Sequence, residues 1–267
     1  MTGPWRLLVD TPRPGAWNMA ADEAMLEALL ADRAAPTLRI YDWHPACLSL
    51  GRNQPVSAEI VTRCHERGID LVRRPSGGQA VLHLAELTYA IVMPAGREGV
   101  LGSYRELNTI LCQALASVGQ QAELIRSDLM EGPGRSSCFA RPGRADLASH
   151  GRKIAGSAQL RRGPALLQHG SLKLWPAPLR LADLLGADTP EPEALWAEYP
   201  KERAEDLRDQ VARAIAAAFR IPWQPGERTA WERQWMTRHL TEFSPVTATG
   251  TGPKPGLPAR ENLRARD

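Results

Sequence analysis

The order of hydrophobic and polar residues divides the chain into helical and extended segments. Four segments place apolar residues three and four positions apart, which is the pattern of a helix with one buried face. Asn18 is expected to cap the first of these helices, and Ser103 with Glu106 has the spacing of a capping box at the start of the second. The four segments lie at residues 18–29, 103–118, 207–219 and 231–235.

Shorter apolar patterns lie between the first two helices and again after the second. They are interrupted by Pro, Gly, Asn and polar residues, as in strands joined by turns. The earlier group covers residues 38–40, 48–50, 71, 81 and 87–93. The later group predicts two hairpins, which turn at His150-Gly151 and at Arg162-Gly163-Pro164, and a last strand through Leu174. Helices combined with hairpins predict an α+β fold built on a mixed or antiparallel sheet.

The size of the chain indicates one domain. Its 267 residues, 43% of them hydrophobic, can bury one sizeable core, and we expect this domain to span residues 1–243. Beyond Phe243 the chain is rich in Pro, Gly, Thr and Arg and has almost nothing to bury. The entropy cost of ordering it would go uncompensated, so residues 244–267 are expected to form a disordered C-terminal tail.

Charge and cysteine content exclude several classes of protein. A net charge of +3 is too small to indicate a nucleic-acid-binding protein. The four cysteines lie far apart, as expected for reduced thiols rather than a disulfide framework. The sequence lacks an apolar run of the ~18 residues that a membrane span needs and lacks the order of a signal peptide. We therefore expect a cytoplasmic protein without membrane contact, with a monomer as the default.

A glycine-containing loop between two strands is the first candidate site. It runs from Arg73 through Ser76, Gly77 and Gly78 to His83. Two glycines let the backbone lie against a ligand, and their N–H groups can face a carboxylate, a thioester carbonyl or a phosphate. An ordinary glycine hairpin is the alternative, and the pattern alone favours it.

Two further segments carry candidate chemistry. Lys153 stands in Gly151 to Gln159, within a chain that usually places arginine where a cation is needed, so a compact ammonium is indicated there. Cys138 lies in a glycine-rich loop flanked by arginine, where positive charge could lower the pKa of a thiol. For a lone loop cysteine without further context, an incidental small residue is the favoured interpretation. The six histidines show no metal-binding spacing, so no metal site is expected.

Taken in order, these segments resemble the biotin/lipoate protein ligase superfamily, and within it the LipM-type octanoyltransferases. Each segment is a weak signal, but their order along most of residues 5–175 is specific. The matching segments are Asn18 to Ala24, Arg39 to Trp43, Leu48 to Gly51, Arg73 to Tyr89, Ser137 to Phe139, Lys153 to Gln159 and Leu167 to Ser171. The resemblance implies a larger mixed β-sheet and a smaller β-sheet flanked by helices, with an acyl chain held between them.

The resemblance also implies a reaction. Cys138 would carry the acyl group as a thioester, and Lys153 would lower the pKa of its thiol. An octanoyl group would pass from octanoyl-acyl carrier protein to a lysine of a lipoyl domain, such as that of the glycine cleavage H protein, without ATP or any other cofactor. The substrate-binding residues implied are Arg73, Ser76, Gly77, Gly78 and His83 on one side of the acyl group and Gly156, Ser157 and His169 on the other.

One position departs from the family pattern, and three alternatives stay open. Leu84 stands where an aspartate usually follows the histidine, which puts the orientation of His83 in doubt. The alternatives are an ATP-dependent lipoate-protein ligase, an amidotransferase that moves octanoyl between lipoyl domains, and an acyl-binding protein without activity. A nucleophile at Cys138 favours a transferase over a ligase, and Cys138 together with Lys153 argues against a silent binding protein.

Overall fold

A computed structural model describes residues 4–125 and 146–243. The strands are β1 (Trp5–Val9), β2 (Thr37–Tyr41), β3 (Cys47–Leu50), β4 (Asp70–Arg73), β5 (Val81–His83), β6 (Glu86–Pro94), β7 (Glu123–Leu124), β8 (Leu147–Ser149), β9 (Arg152–Arg162), β10 (Ala165–Lys173) and β11 (Trp223–Pro225). The helices are α1 (Gly15–Leu30), α2 (Ala58–Glu66), α3 (Gly99–Ser117), α4 (Ala182–Leu185), α5 (Ala204–Ala218) and α6 (Ala230–His239), followed by a 3₁₀ helix (Leu240–Phe243).

The strands form two mixed sheets. The larger has the order β11-β1-β2-β6-β10-β9-β8-β7, and the smaller has the order β4-β3-β5. In the larger sheet β1 runs parallel to both β11 and β2, whereas the pairs from β2 through β6, β10, β9 and β8 to β7 are antiparallel. This arrangement confirms the fold class expected from the sequence.

Both faces of the larger sheet are covered, because alternate residues of a strand point to opposite faces. Leu38, Ile40 and Ile91 pack on the face with α3 and α5. Tyr41 and Val92 pack on the other face with α1, α6 and the 3₁₀ helix. The smaller sheet has its own apolar cluster with α2 and α4. A strand position therefore determines which layer its side chain meets.

The two predicted hairpins are confirmed, with turns at 150–151 and 163–164 between β8, β9 and β10. Two predicted helix starts are wrong. Asn18 lies one turn inside α1, fully buried, and its amide nitrogen donates to the carbonyls of Arg13 and Asp42. Ser103 lies inside α3, and its hydroxyl donates to the carbonyl of Gly99. Neither side chain caps its helix, because the Asn18 amide makes tertiary hydrogen bonds and the Ser103 hydroxyl bonds within its own helix.

Within the described ranges, no helix is long and apolar enough to cross a membrane. Cys138 and the expected C-terminal tail both lie outside the described residues. The proposed extent of one domain over residues 1–243 stays a prediction.

Candidate active site

A row of polar side chains lies on the larger sheet beneath the smaller one. On β10, His169, Ser171 and Lys173 alternate and so point to the same face. On the neighbouring β6, Glu86 and Thr88 also alternate, and β10 pairs with β6 along its whole length. All five residues are buried. Buried polar groups need hydrogen-bond partners, and the partners here connect the two sheets.

A cavity of about 30 Å³ lies at this junction. Four of the residues expected to bind substrate form part of its wall, namely His83, Gly156, Ser157 and His169. Ser49 and Arg74 from the smaller sheet and its loop line the same space. Residues that are widely separated in sequence therefore meet at one site.

His169 fastens the glycine-containing loop to the larger sheet. Its Nδ1 lies 2.9 Å from Oδ2 of Asp22, and its Nε2 lies 2.5 Å from Oγ of Ser76. Burial alone would raise the pKa of Asp22, but the Arg39 guanidinium, 2.6 Å away, holds that pKa below its usual value. Asp22 is thus a carboxylate that accepts a hydrogen bond from Nδ1–H of His169, and Nε2 shares the other hydrogen bond with the Ser76 hydroxyl.

His83 is oriented despite the leucine that follows it. Oε1 of Glu86 lies 2.6 Å from Nδ1 of His83, and Oγ of Ser49 lies 2.7 Å from Nε2. Leu84 instead packs with the apolar cluster of the smaller sheet. The carboxylate that orients the imidazole therefore comes from Glu86, two residues beyond the position at which an aspartate was expected.

Lys153 is buried in an ion pair. Its Nζ lies 2.5 Å from Oδ2 of Asp146, and the side chains are 6% and 5% exposed. The hydroxyl of Tyr104 lies 2.6 Å from the other carboxylate oxygen and 2.9 Å from the backbone oxygen of Ser157. The lysine is thereby connected, through α3, to the wall of the cavity.

The two adjacent arginines of the loop have different tasks. Arg73 donates from Nη1 to the carbonyls of Gly51 and Gln54, at 2.8 and 2.7 Å. Arg74 donates to the carbonyl of Ser49 and, from Nη2, to Gly77. The Arg73 guanidinium therefore hydrogen-bonds to the neighbouring backbone. Arg74 instead lines the cavity and also hydrogen-bonds to the glycine loop.

The predicted glycines lie on the outer side of the loop. Gly77 and Gly78 are exposed and border a shallow groove with Asn53 and Gln54, next to the cavity but outside its wall. The loop is held close to the preceding strand, since a side chain added at Gly51 would place its Cβ 1.9 Å from the carbonyl oxygen of Gly78.

The cysteines of the described part are poor nucleophiles. Burial raises the pKa of both Cys64 and Cys112 to about 11. Burial, with the nearby Asp70 charge, raises the pKa of Cys47 well above its ordinary value. A thiolate is the reactive form, so none of these three suits nucleophilic chemistry near neutral pH.

Sequence reasoning missed several residues of this site. Glu86 could have been found from its spacing, because a carboxylate three residues after His83 at the start of the next strand can turn back to the imidazole. The sequence alone does not show that Arg74, directly after β4, faces the cavity and that Arg73 does not. Four further partners lie on separate segments of the chain, and no local pattern signals their contacts: Asp22, Ser49, Tyr104 and Asp146.

Comparison with known proteins identifies the family of this chain. Residues 14–218 match the family described as lipoyl protein ligase A/B catalytic domain. The chain belongs to this family. It is 34% identical to the octanoyltransferase LipM of Kyrpidia tusciae over 90% of this chain and 96% of that protein. It is 32% identical to the octanoyltransferase LipM of Clostridioides difficile over 89% of this chain and 95% of that protein.

Solved structures of lipoate-protein ligases share the fold. A lipoate-protein ligase A bound with ATP superposes with a TM-score of 0.69 at 22% identity and covers 89% of this chain and 94% of its own. A bi-partite lipoate protein ligase from Thermoplasma acidophilum superposes with a TM-score of 0.66 at 21% identity, covering 97% of this chain and 99% of its own. At this identity the likeness establishes the architecture.

Proposed function

We propose that the protein is an octanoyltransferase of lipoate biosynthesis, which moves an octanoyl group from octanoyl-acyl carrier protein, through a thioester on Cys138, to a lysine of a lipoyl domain. The observation that carries this proposal is the similarity to LipM octanoyltransferases along nearly the whole of both chains. The shared fold alone does not separate transferases from ligases, because the solved relatives are ligases.

The proposed chemistry consists of two exchanges at one carbonyl carbon. The Cys138 thiolate attacks the donor thioester and forms a new C–S bond, while the C–S bond to the carrier breaks and the carrier sulfur leaves as a thiolate. The acceptor amine then attacks the acyl-enzyme, and Cys138 leaves as a thiolate while an amide forms. A thioester already carries the activation that an adenylate would supply, so this route uses no ATP. The raised pKa values of the three described cysteines support Cys138 as the nucleophile.

The cavity between the sheets is the proposed place of the acyl group. His83, Gly156, Ser157 and His169 form part of its wall, and Ser76 holds the loop above it. Its 30 Å³ is about the volume of one water molecule, so an eight-carbon chain enters only if side chains of the wall move apart. Lys153, connected through Asp146 and Tyr104 to Ser157, is proposed to act on the reacting thioester at the edge of this space.

The proposal is tested by a single-turnover incubation with octanoyl-acyl carrier protein in the absence of ATP. Intact mass should increase by one octanoyl group, neutral hydroxylamine should remove it, and peptide mapping should place it on Cys138. Cys138→Ser should abolish this labile adduct, while Cys112→Ser should leave it unchanged. Absence of an adduct, or its location on Cys47, Cys64 or Cys112, contradicts the proposal.

The ligase alternative gives a different signal. An adenylating enzyme should catalyse pyrophosphate exchange that depends on octanoate or lipoate, and its transfer should require magnesium and ATP. The proposed transferase should show neither dependence. Comparing octanoyl-acyl carrier protein with an octanoyl lipoyl domain as donor separates it from the amidotransferase. The monomeric state and the specific acceptor protein stay predictions.

A further inference from the structure

One buried carboxylate contacts the walls of two different cavities. Oε1 of Glu86 lies 2.6 Å from Nδ1 of His83 and accepts from the Thr88 hydroxyl at 2.7 Å. Its Oε2 accepts from the Ser171 hydroxyl and from the Lys173 ammonium. The first three partners line the cavity between the sheets, whereas Lys173 lines a second cavity. Glu86 therefore lies at the boundary between them.

The second cavity is the larger of the two and is mostly apolar. Its volume is about 250 Å³, whereas that of the cavity between the sheets is about 30 Å³. Leu82 and Leu84 line it from the smaller sheet, and the segment after β10 supplies Trp175. His83, which lies between the two leucines, lines the first cavity instead, because alternate residues of an extended segment point to opposite sides. The second cavity suits a hydrocarbon chain, which would have to pass the Glu86 carboxylate to reach it from the first.

Glu86 and Lys173 form a charged partition that is held from several sides. They are directly paired across β6 and β10, and their side chains are 0% and 8% exposed. The Lys173 ammonium also donates to the carbonyl oxygens of Leu82 and Leu84, so each of its three N–H groups has an acceptor. Burial alone would raise the pKa of Glu86, but the ammonium and the His83 imidazole hold that pKa far below its usual value. The carboxylate is therefore ionised at neutral pH and attracts the ammonium.

A hydrocarbon chain gains too little to open this partition. Separating the two groups would leave each buried without its ionic counterpart, which is among the costliest changes in a protein interior. Each further buried methylene gains only about fourfold in affinity. Met19 and Val81, by contrast, line the first cavity with uncharged side chains, which can shift to admit a chain. The cavity can therefore widen at its apolar walls but not at the Glu86–Lys173 pair.

We propose that the Glu86–Lys173 pair closes the far end of the acyl site and sets the longest chain that the protein accepts. This inference rests on the proposed function for the identity of the ligand. Gly77 and Gly78 are exposed beside the first cavity, whereas the pair is buried. A chain that enters beside the glycine loop therefore meets the pair with its methyl end. Octanoyl is accommodated on the near side of the pair, and longer chains are excluded because they would have to pass it.

The limit on chain length is measured with unreactive analogues of the donor. A series of acyl groups from hexanoyl to tetradecanoyl is joined to pantetheine through an amide in place of the thioester, so that binding is observed without transfer. All members share one head group, and calorimetric titration therefore reports the effect of the chain alone. For the unmodified protein, affinity should increase about fourfold per methylene up to octanoyl. The dodecanoyl analogue should bind at least about tenfold more weakly than the octanoyl analogue, because its chain would have to displace the buried pair.

Replacing both members of the pair should remove the limit. Glu86→Gln combined with Lys173→Met keeps a similar volume and leaves neither charge buried alone, so the double variant should fold. Methionine is flexible and moves aside for a chain where an ion pair does not. The dodecanoyl analogue should then bind at least about tenfold more tightly than it binds the unmodified protein, since its chain reaches the second cavity. Binding of the octanoyl analogue should stay within about threefold, because its chain ends before the pair.

Filling the second cavity tests whether the extra chain goes there. Ala177 lines the second cavity and not the first. In the otherwise unmodified protein, Ala177→Trp should leave the affinity for every analogue unchanged, because the pair separates the two cavities. Added to the double variant, the same tryptophan should restore the limit at octanoyl. This dependence of one substitution on the other is expected only if the cavities join when the pair is absent.

A second buried ion pair controls for general loosening of the protein. Arg6 and Glu232 lie 2.6 Å apart between β1 and α6, and neither is among the described residues that line the two cavities. Arg6→Met combined with Glu232→Gln removes a comparable pair elsewhere. This variant should keep the chain-length preference of the unmodified protein, whatever it loses in stability.

Several outcomes overturn the inference. An affinity that rises steadily through tetradecanoyl in the unmodified protein shows that no partition limits the chain, and this measurement needs no folded variant. An unchanged limit in the double variant, with longer chains admitted by Met19→Ala instead, places the end of the site at Met19. Failure of the unmodified protein to bind any analogue removes the acyl site from this cavity. A protein that binds with the expected limit but transfers no octanoyl group to a lipoyl domain overturns the proposed function and leaves the role of the Glu86–Lys173 pair intact.

Discussion

Lys153 and Asp146 form an ion pair 2.5 Å long with both side chains buried. Removing one member of such a pair leaves the other charge buried without its ionic counterpart, which costs more than the pair contributes when intact. The lysine proposed to act in catalysis is therefore also buried at the start of β9, so activity losses in its variants must be measured together with stability.

The pair predicts strong coupling between two substitutions. Asp146→Asn and Lys153→Met should each lower the free energy of unfolding by about 3 kcal/mol. The double variant should lose clearly less than the sum, because neither charge is then left alone. Urea denaturation of the four proteins gives the coupling. The exposed pair of Arg180 and Asp183 serves as control and should show far weaker coupling, because solvent screens it. Additive losses at Lys153 and Asp146 contradict the pairing.

Substitution of Lys153 should also change the pH at which the Cys138 thiol becomes reactive. If its ammonium favours the thiolate, Lys153→Ala should move the iodoacetamide reactivity of Cys138 to higher pH, and the Asp146 carboxylate left behind should act in the same direction. Lys153→Arg should keep part of the effect on the thiol but lose most of the transfer rate, because a planar guanidinium cannot occupy the place of the ammonium. An unchanged thiol titration and transfer rate in Lys153→Ala leaves this lysine with a structural role alone.

Local patterns predicted the strands and hairpins well and the helix starts poorly. The turns at His150-Gly151 and Gly163 depend on a few residues in sequence, and β9 with β10 forms where they indicate. Asn18 has the chemistry of a cap, but its amide is taken by carbonyls of Arg13 and Asp42. That contact depends on how α1 packs, which no local pattern contains.

The residues of the site also divide into those that local sequence reveals and those that depend on tertiary contacts. His83 and His169 were found because they lie in recognisable segments, and both line the cavity. The carboxylates behind them, Glu86 and Asp22, act through side-chain contacts. Asp22 lies 147 positions from His169 in the sequence, so pairing them needs the packing of α1 on β10. The orientation of each imidazole therefore depends on tertiary structure, even where the histidine itself is recognisable from the sequence.

Asp42 gives the fold a specific dependence on pH. Burial raises its pKa to about 6, although the Arg208 guanidinium 3.1 Å away opposes the shift. A raised pKa in the folded state means that this group stabilises the fold below its unfolded value of ~3.9 and that the stabilisation is lost as pH rises through 6. Asp42→Asn removes the titration.

The stability of the unmodified protein, relative to Asp42→Asn, should fall by about 1 to 2 kcal/mol between pH ~4 and ~6, with allowance for a partly exposed side chain. Chemical denaturation across this range measures the difference. Asp183→Asn is the control of opposite sign, because the Arg180 hydrogen bond lowers the pKa of Asp183. A difference that stays flat with pH shows that Asp42 keeps its ordinary pKa.

Substitution of two glycines, Gly51 and Gly77, distinguishes an effect on folding from an effect on substrate binding. A Cβ at Gly51 would lie 1.9 Å from the carbonyl oxygen of Gly78, so Gly51→Ala forces the loop to move and should lower the free energy of unfolding by about 1 to 3 kcal/mol. A Cβ at Gly77 meets no atom within 4 Å. Gly77→Ala should therefore leave stability within about 0.5 kcal/mol of the unmodified protein.

Activity distinguishes these two variants further. If the donor thioester lies against the exposed backbone of the loop, the methyl group of Gly77→Ala occupies space that the substrate needs, and loading of Cys138 should fall at least about tenfold although the fold is intact. Gly51→Ala should lose loading together with stability. Thermal unfolding and the mass increase on loading, measured on the same samples, give both quantities. Full loading by a stable Gly77→Ala protein shows that the donor does not approach this glycine, and the carbonyl must then be bound from the Gly156 and Ser157 side of the cavity.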